Sequence, residues 1–317
     1  MPEIHILFCN MVLFSCGKLC YNKKKVWRLR MSIDLLQEKI RKLKCPIVLD
    51  LSIEPDLIPA EMVTDACDPM EMFCRQLLSG LKGVIPAVRF PFEQFALMGS
   101  DGLRILGKLL REAKDMGYYV LLDGPAIHSP WAASRAAALL DEKSSYPCDG
   151  MIIGAYIGSD AIRPCLPACK AGKTLFVIVR SANKSAVEIQ DLMTGSRLAH
   201  VAAADIANRH GETMCGRSGF HQIGVVTSAT SASAVSGLRT KYNRMFLLVD
   251  GLDYPGGNAK NASFGFDRFG HGCAVSVGPA ITGAWKEAGS DGSDFVECAQ
   301  RAAERIRGNI NRYISIL

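Results

Sequence analysis

The sequence predicts a single (β/α)8 TIM barrel, and three observations lead to that prediction. Eight short runs of apolar or β-branched residues follow Met31, and each has the pattern of a strand buried on both faces, as in a parallel sheet. Amphipathic helical patterns separate these runs. No Pro-, Gly- or Ser-rich linker divides the 317 residues into two halves. Eight alternating units of strand and helix over this length favour one α/β barrel over two domains.

The predicted strands follow one another along the whole chain after Met31. Their ranges are 46–51, 84–89, 118–123, 150–155, 174–180, 222–227, 245–249 and 272–277. The stretch 101–117 shows the helical spacing between strands most clearly, because Leu103, Leu106, Leu110 and Ala113 recur every three or four residues. A barrel of this kind carries its functional side chains in the loops that follow the strands, so those loops hold the candidate site.

The formal net charge of +6 is concentrated at the amino terminus. Residues 1–30 contain six Lys or Arg and one Glu, a balance of +5, so residues 31–317 carry only +1. A nearly neutral body lacks the basic surface of nucleic-acid-binding proteins. No apolar run is long enough to span a bilayer. We therefore expect neither a nucleic acid nor a membrane as a partner.

Residues 1–30 differ in pattern from the rest of the chain. Their apolar run, 4–16, precedes the basic residues, whereas a signal peptide carries its positive charges first. Met31 then opens an amphipathic helical pattern. We expect residues 1–30 to be an N-terminal extension, disordered or arising from a misassigned start, and residues 31–317 to form the barrel. A short anchor on a membrane surface is the alternative interpretation.

Twelve cysteines are spread over the chain without the dense spacing of a disulfide framework. Free thiols of this kind are typical of a reducing compartment, so we expect a cytoplasmic protein. Cys165 and Cys169 have a spacing that suits a metal ion, but no second pair of Cys or His at zinc spacing accompanies them. The sequence therefore predicts no metal site.

Seven segments carry a resemblance to a known family. They are IVLDLSIEPDLIP, AVRFPFEQFALMGSDGLRIL, YYVLLDGPAIHS, DGMIIGAYIGSDAIRPCL, LFVIVRSANKSAVEIQDL, FLLVDGLDYPGG and GHGCAVSVGPAITGAWK. In this order they resemble orotidine 5'-phosphate decarboxylase, in the longer bacterial branch of that family, over nearly all of residues 31–317. The most specific piece is VRSANKSAVEIQDL. The resemblance implies a homodimer that needs no metal or organic cofactor.

The family removes CO₂ from orotidine monophosphate to give UMP, a step of pyrimidine biosynthesis. The reaction leaves a carbanion, and a Lys ammonium stabilises it and then supplies the proton. The resemblance places the family's Asp-x-Lys-x-x-Asp signature after the third strand, where Asp123 matches the first Asp. Pro125 replaces the Lys, and His128 replaces the second Asp. Arg89 stands where a second Lys is expected, and a guanidinium is a poor proton donor.

Asp123, Arg89 and His128 are therefore the candidate catalytic residues. His128 is the remaining candidate acid, because imidazole titrates near neutrality. The resemblance also implies substrate-binding roles in the first and fifth strands. Either Asp50 or Ser52 takes the sugar position, and the register between them is open. Two residues that follow the fifth strand belong to a weakened form of the family's Thr-Ser-Asn motif and would face the pyrimidine. These two are Ser181 and Asn183.

The phosphate-binding loop departs from the family as well. Gly256 and Gly257 are present, but Pro255 stands where the family has Gln, and the phosphate-binding Arg falls on Pro279. Loss of that Arg removes a bidentate contact to phosphate. Backbone N–H groups near Gly256 and at the start of the following helix are the remaining anion donors.

Three functions follow from these residues. The first is a catalytically degenerate decarboxylase homologue that binds a nucleotide-like ligand or a protein partner. The second is an active enzyme on the same barrel in which Asp123, Arg89 and His128 perform a different reaction. The third is an orotidine 5'-phosphate decarboxylase with a rearranged site. UMP production distinguishes the third from the others, and ligand-induced stabilisation without turnover favours the first.

Overall fold

The computed structural model describes residues 31–62 and 68–317. The predicted extension, residues 1–30, lies outside the described residues. Eight parallel strands close into a barrel, which confirms the predicted fold. The barrel strands are β1 (Ile47–Asp50), β2 (Ala87–Pro91), β3 (Tyr119–Asp123), β4 (Gly150–Gly154), β5 (Thr174–Ile178), β6 (Ile223–Ser228), β7 (Leu247–Asp250) and β8 (Cys273–Val277). They are neighbours in chain order, and β1 closes the ring by pairing with β8.

Helices cover the outside of the barrel. They are α1 (Ser32–Leu43), α2 (Pro69–Gly80), α3 (Phe92–Leu97), α4 (Gly99–Asp115), α5 (Pro130–Ala136), α6 (Ser159–Ile162), α7 (Leu166–Lys170), α8 (Ala199–Gly211), α9 (Ala232–Lys241), α10 (Ala259–Ser263), α11 (Pro279–Thr282), α12 (Ala284–Glu287) and α13 (Phe295–Asn311). A two-stranded hairpin, Met193–Thr194 with Arg197–Leu198, lies between β5 and α8.

The predicted strand ranges agree with the structure to within a few residues. The largest difference is at β2, which begins at Ala87 and not at residue 84. Residues before Ala87 form a turn closed by an isolated bridge between Lys82 and Ile85. Pro86 has no N–H to donate to a neighbouring strand. Its carbonyl oxygen accepts a hydrogen bond from the N–H of Tyr119, the first residue of β3. The strand therefore starts after the proline.

Alternation of side chains along the strands divides the apolar core into two parts. The inner part fills the barrel and includes Val48, Ala87, Leu121 and Leu248. The outer part lies between the strands and the surrounding helices. α1 packs across the amino-terminal end of the barrel, where Ile33, Leu36 and Ile40 join the inner core. The carboxyl ends of the strands are therefore the open end.

The described part of the chain contains eight cysteines, all of them free thiols, and only Cys215 is not fully buried. Among residues 31–62 and 68–317, no group of three or more His, Cys, Asp or Glu side chains is arranged to hold a metal ion. None of the helices in those ranges combines the length and the apolar character that a membrane crossing requires.

Candidate functional site

The upper layer of the barrel interior is charged. In each of four strands, an apolar residue that faces the inner core is followed two positions later by a charged residue. Because side chains alternate along a strand, that charged residue also points inward. The four charged residues are Asp50, Arg89, Asp123 and Asp250. They come from β1, β2, β3 and β7, so residues far apart in the sequence meet at the carboxyl end of the barrel.

Arg89 lies at the centre of this layer and is buried. Its Nη1 is 3.1 Å from Asp50 Oδ2 and 3.0 Å from Asp250 Oδ2. Its Nε donates to Asp123 Oδ2 at 3.1 Å, and Nη2 donates to the same oxygen. Nη1 also lies 3.4 Å from Ser276 Oγ, on β8. We call these residues, Asp50, Arg89, Asp123 and Asp250, the Arg89 cluster.

The cluster holds more negative than positive charge away from water. Burial raises the pKa of Asp50, and the opposing charge of Arg89 does not cancel that effect. Burial raises the pKa of Asp123 in the same way. Burial would lower the pKa of Arg89, but the three carboxylates outweigh it and hold that pKa above its ordinary range. Arg89 is therefore a fixed cation, and the carboxylates are the groups that can take up protons.

A second carboxylate site lies beside the cluster, between β7 and α11. Asp253 Oδ2 accepts a hydrogen bond from Gly278 N at 2.8 Å, and the backbone N–H groups of Gly278 and Ala280 oppose the rise in the pKa of Asp253 that burial causes. Its Oδ1 is buried and accepts no hydrogen bond from the described residues. Gly278 separates Asp253 from the cluster, because a Cβ built on Gly278 would lie 3.4 Å from Asp50 Cβ and 3.9 Å from Asp253 Oδ2.

A cavity of about 360 Å³ opens above these residues. That volume lies within the ~300–1,000 Å³ range of small-molecule sites. No lysine is among the described residues that line it. The lining residues are Asp50, Ser52, Glu54, Arg89, Asp250, Gly251, Asp253, Tyr254, Pro255, Gly278 and Pro279.

The structure brings together some of the residues that the sequence singled out. Asp50, Arg89 and Asp123 meet in the cluster, and Ser52 joins them because its N and Oγ both donate to Asp50 Oδ1, at 3.0 and 2.7 Å. Asp50 and Ser52 thus act as one unit, and both line the cavity. His128 is exposed on the β3–α5 loop, and within the described residues no hydrogen bond or ion pair joins it to the cluster.

Ser181 and Asn183 lie on the loop after β5. Ser181 Oγ donates to Asn183 Oδ1 at 2.6 Å, and Ser181 N donates to Gln190 Oε1 at 2.8 Å. Arg180 and His200, which are both buried, fix this loop through Asp191. Arg180 Nη2 and His200 Nδ1 lie 3.0 and 3.1 Å from the Asp191 carboxylate. The side chains expected to face a pyrimidine are therefore held in place by one another and by this ion pair.

Gly256 and Gly257 lie in a tight turn after β7. Gly256 has a φ of 89°, which favours glycine. A Cβ on Gly257 would lie 1.9 Å from the carbonyl oxygen of Gly251, so no other residue fits there without a shift of the backbone. Gly257 N donates to Tyr254 O at 2.8 Å. This backbone N–H is therefore occupied within the loop.

Sequence reasoning did not name two further carboxylates at this candidate site, Asp250 and Asp253. The signal for Asp250 is the alternation in β7, since Leu248 faces the inner core and the residue two positions later must face the same way. Asp253 has no such signal, because it lies in a loop. Its role depends on how the loop folds back against the start of α11.

The fold and the site define a (β/α)8 barrel with a ligand-sized cavity at the carboxyl ends of its strands. Within that class, the chain is similar to orotidine 5'-phosphate decarboxylases. Orotidine 5'-phosphate decarboxylase of Caldicellulosiruptor saccharolyticus is 27% identical over 250 residues, which cover 76% of this chain and 81% of the relative. The Clostridium acetobutylicum protein of the same name is 26% identical over 290 residues, 89% of this chain and 99% of the relative. No protein-family model matches the chain.

Solved structures share the fold. A Toxoplasma gondii structure described as an orotidine-monophosphate decarboxylase superposes with a TM-score of 0.74 at 19% identity, covering 90% of this chain and 99% of the other. Orotidine monophosphate decarboxylase of Leishmania donovani gives a TM-score of 0.67 at 21% identity and covers 89% of this chain and 99% of the other. At these identities the likeness concerns the barrel itself.

Proposed function

We propose that this orotidine 5'-phosphate decarboxylase-like barrel does not decarboxylate orotidine 5'-phosphate and keeps the cavity at the open end of the barrel as a ligand-binding site. One observation carries the proposal: the cation at the centre of the site is Arg89, and its partners are three carboxylates of the chain itself. The relatives are named for decarboxylation, which makes that reaction the one to compare with the site.

Decarboxylation leaves an electron pair on a ring carbon, which a nearby cation must stabilise and an acid must then protonate. Arg89 supplies a cation but no proton, because its pKa is held above the ordinary value of a guanidinium. No lysine is among the described residues that line the cavity. His128 is exposed and is not bonded to the cluster. Among the described residues that line the cavity, no lysine or histidine is present to supply the proton after loss of CO₂, which supports the proposal.

A turnover assay tests the proposal. The purified chain is incubated with orotidine 5'-phosphate, and UMP is quantified by absorbance and by chromatography. We expect no UMP above the level given by the Asp123→Ala variant, which removes the carboxyl group at the family's signature position. UMP formation that is equal in both proteins identifies a contaminating host enzyme. UMP formation that Asp123→Ala abolishes overturns the proposal and supports an active decarboxylase with a rearranged site.

The proposal includes a homodimer, because exposed apolar side chains collect after four consecutive strands. Leu97, Trp131 and Tyr156 are 90%, 69% and 89% exposed and follow β2, β3 and β4. Ile189 and Met193, also exposed, follow β5. Exposed apolar residues grouped at one end of a barrel favour contact with a second copy.

Light scattering tests the homodimer. The intact chain should give twice the monomer mass, and the Tyr156→Asp variant should give a lower mass. A wild-type monomer would contradict the dimer.

We also place the protein in the cytoplasm. The eight described cysteines are free, and a reducing compartment keeps such thiols from forming disulfides. Fluorescence imaging of the tagged full chain in cells tests this placement. Staining confined to a membrane would contradict it and favour the anchor interpretation of residues 1–30.

A further inference from the structure

We propose that another cavity, on the outside of the barrel, binds a nucleoside triphosphate through both its phosphate chain and its base. This cavity measures about 770 Å³ and lies between α9, α10 and the segment that follows α13. Its volume is within the ~300–1,000 Å³ range of small-molecule sites. No described residue lines both this cavity and the one at the carboxyl ends of the strands, so the inference goes beyond the proposed function and does not depend on it.

Arg239, on α9, fixes the place of this cavity in the fold. Its Nη1 donates to Met245 O at 2.9 Å, and its Nη2 donates to Gly272 O at 2.6 Å. Met245 and Gly272 stand just before β7 and β8, at the amino ends of these strands. The candidate functional site is at the carboxyl ends, so the two cavities belong to different parts of the barrel.

Positive charge exceeds negative charge in the lining of this cavity. One carboxylate, that of Asp267, lines it together with four cations, which are Arg239, Lys260, Arg268 and Arg312. None of the four cations forms an ion pair within residues 31–62 and 68–317. Unpaired cations around a concave surface concentrate positive potential there and favour a ligand with several negative charges.

The carboxylate of Asp267 is engaged by the backbone and not by the cations. Its Oδ1 accepts hydrogen bonds from the N–H groups of Phe269 and His271, at 2.8 and 2.9 Å. These bonds hold the turn that leads into β8. The carboxylate therefore has a structural role in the turn, and the cations of the cavity keep their charge for a ligand.

Arg239 is a partly buried cation whose hydrogen-bond partners are neutral. Besides the two contacts given above, its Nε donates to Gly265 O at 2.7 Å. Burial lowers the pKa of Arg239, and the charge of Asp267 opposes that shift without cancelling it. This is the opposite of Arg89, whose pKa three carboxylates raise. A desolvated cation without a carboxylate partner is stabilised by an anion that binds nearby.

Two exposed aromatic side chains line the same cavity. Phe264 and Tyr313 are 40% and 54% exposed, and they come from separate segments of the chain. Stacking on aromatic rings is a common way to hold a nucleobase without reading its identity. Cations beside aromatic rings therefore favour a ligand that combines a polyanion with a flat ring, and a nucleoside triphosphate has both parts.

Titration with three ligands tests this ligand class. ATP has both parts, inorganic tripolyphosphate has only the anion, and adenosine has only the base and sugar. Calorimetry on the intact chain, without divalent cations, should rank ATP first, tripolyphosphate second and adenosine last. We expect ATP to bind about tenfold more tightly than tripolyphosphate, and added salt to weaken both. Failure of ATP to saturate the protein, or binding of either other ligand as tightly as ATP, overturns the inference.

Two substitutions locate the site and separate the contributions of charge and stacking. Lys260→Gln removes one cation and should weaken ATP and tripolyphosphate alike, about fivefold. Tyr313→Ser removes one ring, so it should weaken ATP about tenfold and leave tripolyphosphate unchanged. The matched control is Lys170→Gln, because Lys170 is also exposed and also lies on a five-residue helix, α7, between β4 and β5. It should alter neither affinity. Thermal melts establish that each variant is folded.

The variants also distinguish this cavity from other places where ATP could bind. Equal weakening by Lys260→Gln and Lys170→Gln would show that only the net charge of the protein acts, and this would overturn the site. ATP binding that Asp123→Ala weakens and Lys260→Gln leaves unchanged would place the ligand at the carboxyl ends of the strands, which also overturns it. Formation of UMP in the turnover assay contradicts the proposed function alone, so the two can fail separately.

Discussion

Arg89 donates from both Nε and Nη2 to a single oxygen of Asp123, Oδ2, and thereby turns its third nitrogen, Nη1, across the barrel. Nη1 reaches Asp50 at 3.1 Å and Asp250 at 3.0 Å. One guanidinium from β2 therefore links carboxylates at the ends of β1, β3 and β7. We therefore expect the stability of the open end of the barrel to depend on this single cation.

Removal of the cation should destabilise the protein strongly. Arg89→Met keeps much of the side-chain volume and leaves three partly buried carboxylates without their buried cation. We expect the free energy of unfolding at neutral pH to fall by about 3–5 kcal/mol, as when one member of a buried ion pair is removed. Chemical denaturation with urea measures the change.

The matched control is an exposed arginine. Arg163 pairs with Asp160 at 3.1 Å, three residues earlier in the chain, and both side chains are at least half exposed. Arg163→Met should cost less than about 1 kcal/mol. Equal losses in the two variants would show that the Arg89 cluster contributes no more than a surface pair.

The pH dependence of stability should reveal the charge state of Asp253. Burial raises the pKa of Asp253, although the N–H groups of Gly278 and Ala280 oppose the shift. The folded protein therefore holds this proton more tightly than the unfolded chain. Between the ordinary pKa of Asp and the raised value, stability from this group falls as pH rises. The stability of Asp253→Asn relative to wild type should therefore increase from pH 4 to pH 7, as measured by urea unfolding at each pH.

Asp191 provides a control of opposite sign. The hydrogen bonds from Arg180 lower the pKa of Asp191, so the unfolded chain binds its proton more tightly. This group stabilises the fold above the ordinary pKa of Asp, and the contribution is lost as pH falls through the lowered value. Asp191→Asn should therefore be less stable than wild type at pH 7 and approach it in acid. The same slope for both variants would contradict the opposite shifts assigned here.

Much of the fold could be predicted because the strands have a strong local signal. A run such as LLVD at β7 is apolar, β-prone and bounded by glycine, and its alternation places Asp250 inside the barrel. The sequence pattern places the start of β2 at residue 84 and not at Ala87 because Val84 and Ile85 are apolar but precede Pro86, which ends the turn. Local composition does not distinguish such a turn from the strand that follows it.

The candidate site was predictable only in part. Asp50, Arg89 and Asp123 stand at strand ends, and the barrel fold brings strand ends together. The partners of Arg89 depend on the reach of its side chain across the barrel, which the local sequence does not define. Glu93 is nearer to Arg89 in the chain than Asp123, but it accepts from Ala126 N, and Arg89 donates to Asp123. The position of Asp253 depends on the path of a loop, for which no periodic pattern exists.

Native thiol labelling should test the packing that holds the barrel and its cysteines in place. Burial raises the pKa of Cys45 to about 11 and that of Cys165 to about 12, so neither is a reactive thiolate at neutral pH. Cys215 is the one described cysteine with partial exposure. Among the eight described cysteines, Cys215 should therefore be modified first by an alkylating reagent, with the site mapped by mass spectrometry.

The Cys215→Ser variant completes this test. In that variant the remaining seven described cysteines should stay unmodified until denaturant is added, because their reaction requires local or global opening of the fold. Cys165 and Cys169 deserve separate quantification, since their spacing in the sequence also suits a metal ion. Labelling of this pair in the native protein, or protection of the pair that a chelator removes, would contradict their assignment as buried structural thiols. Unchanged protection in the presence of the chelator is the expected result, because apolar burial and not a ligand shields them.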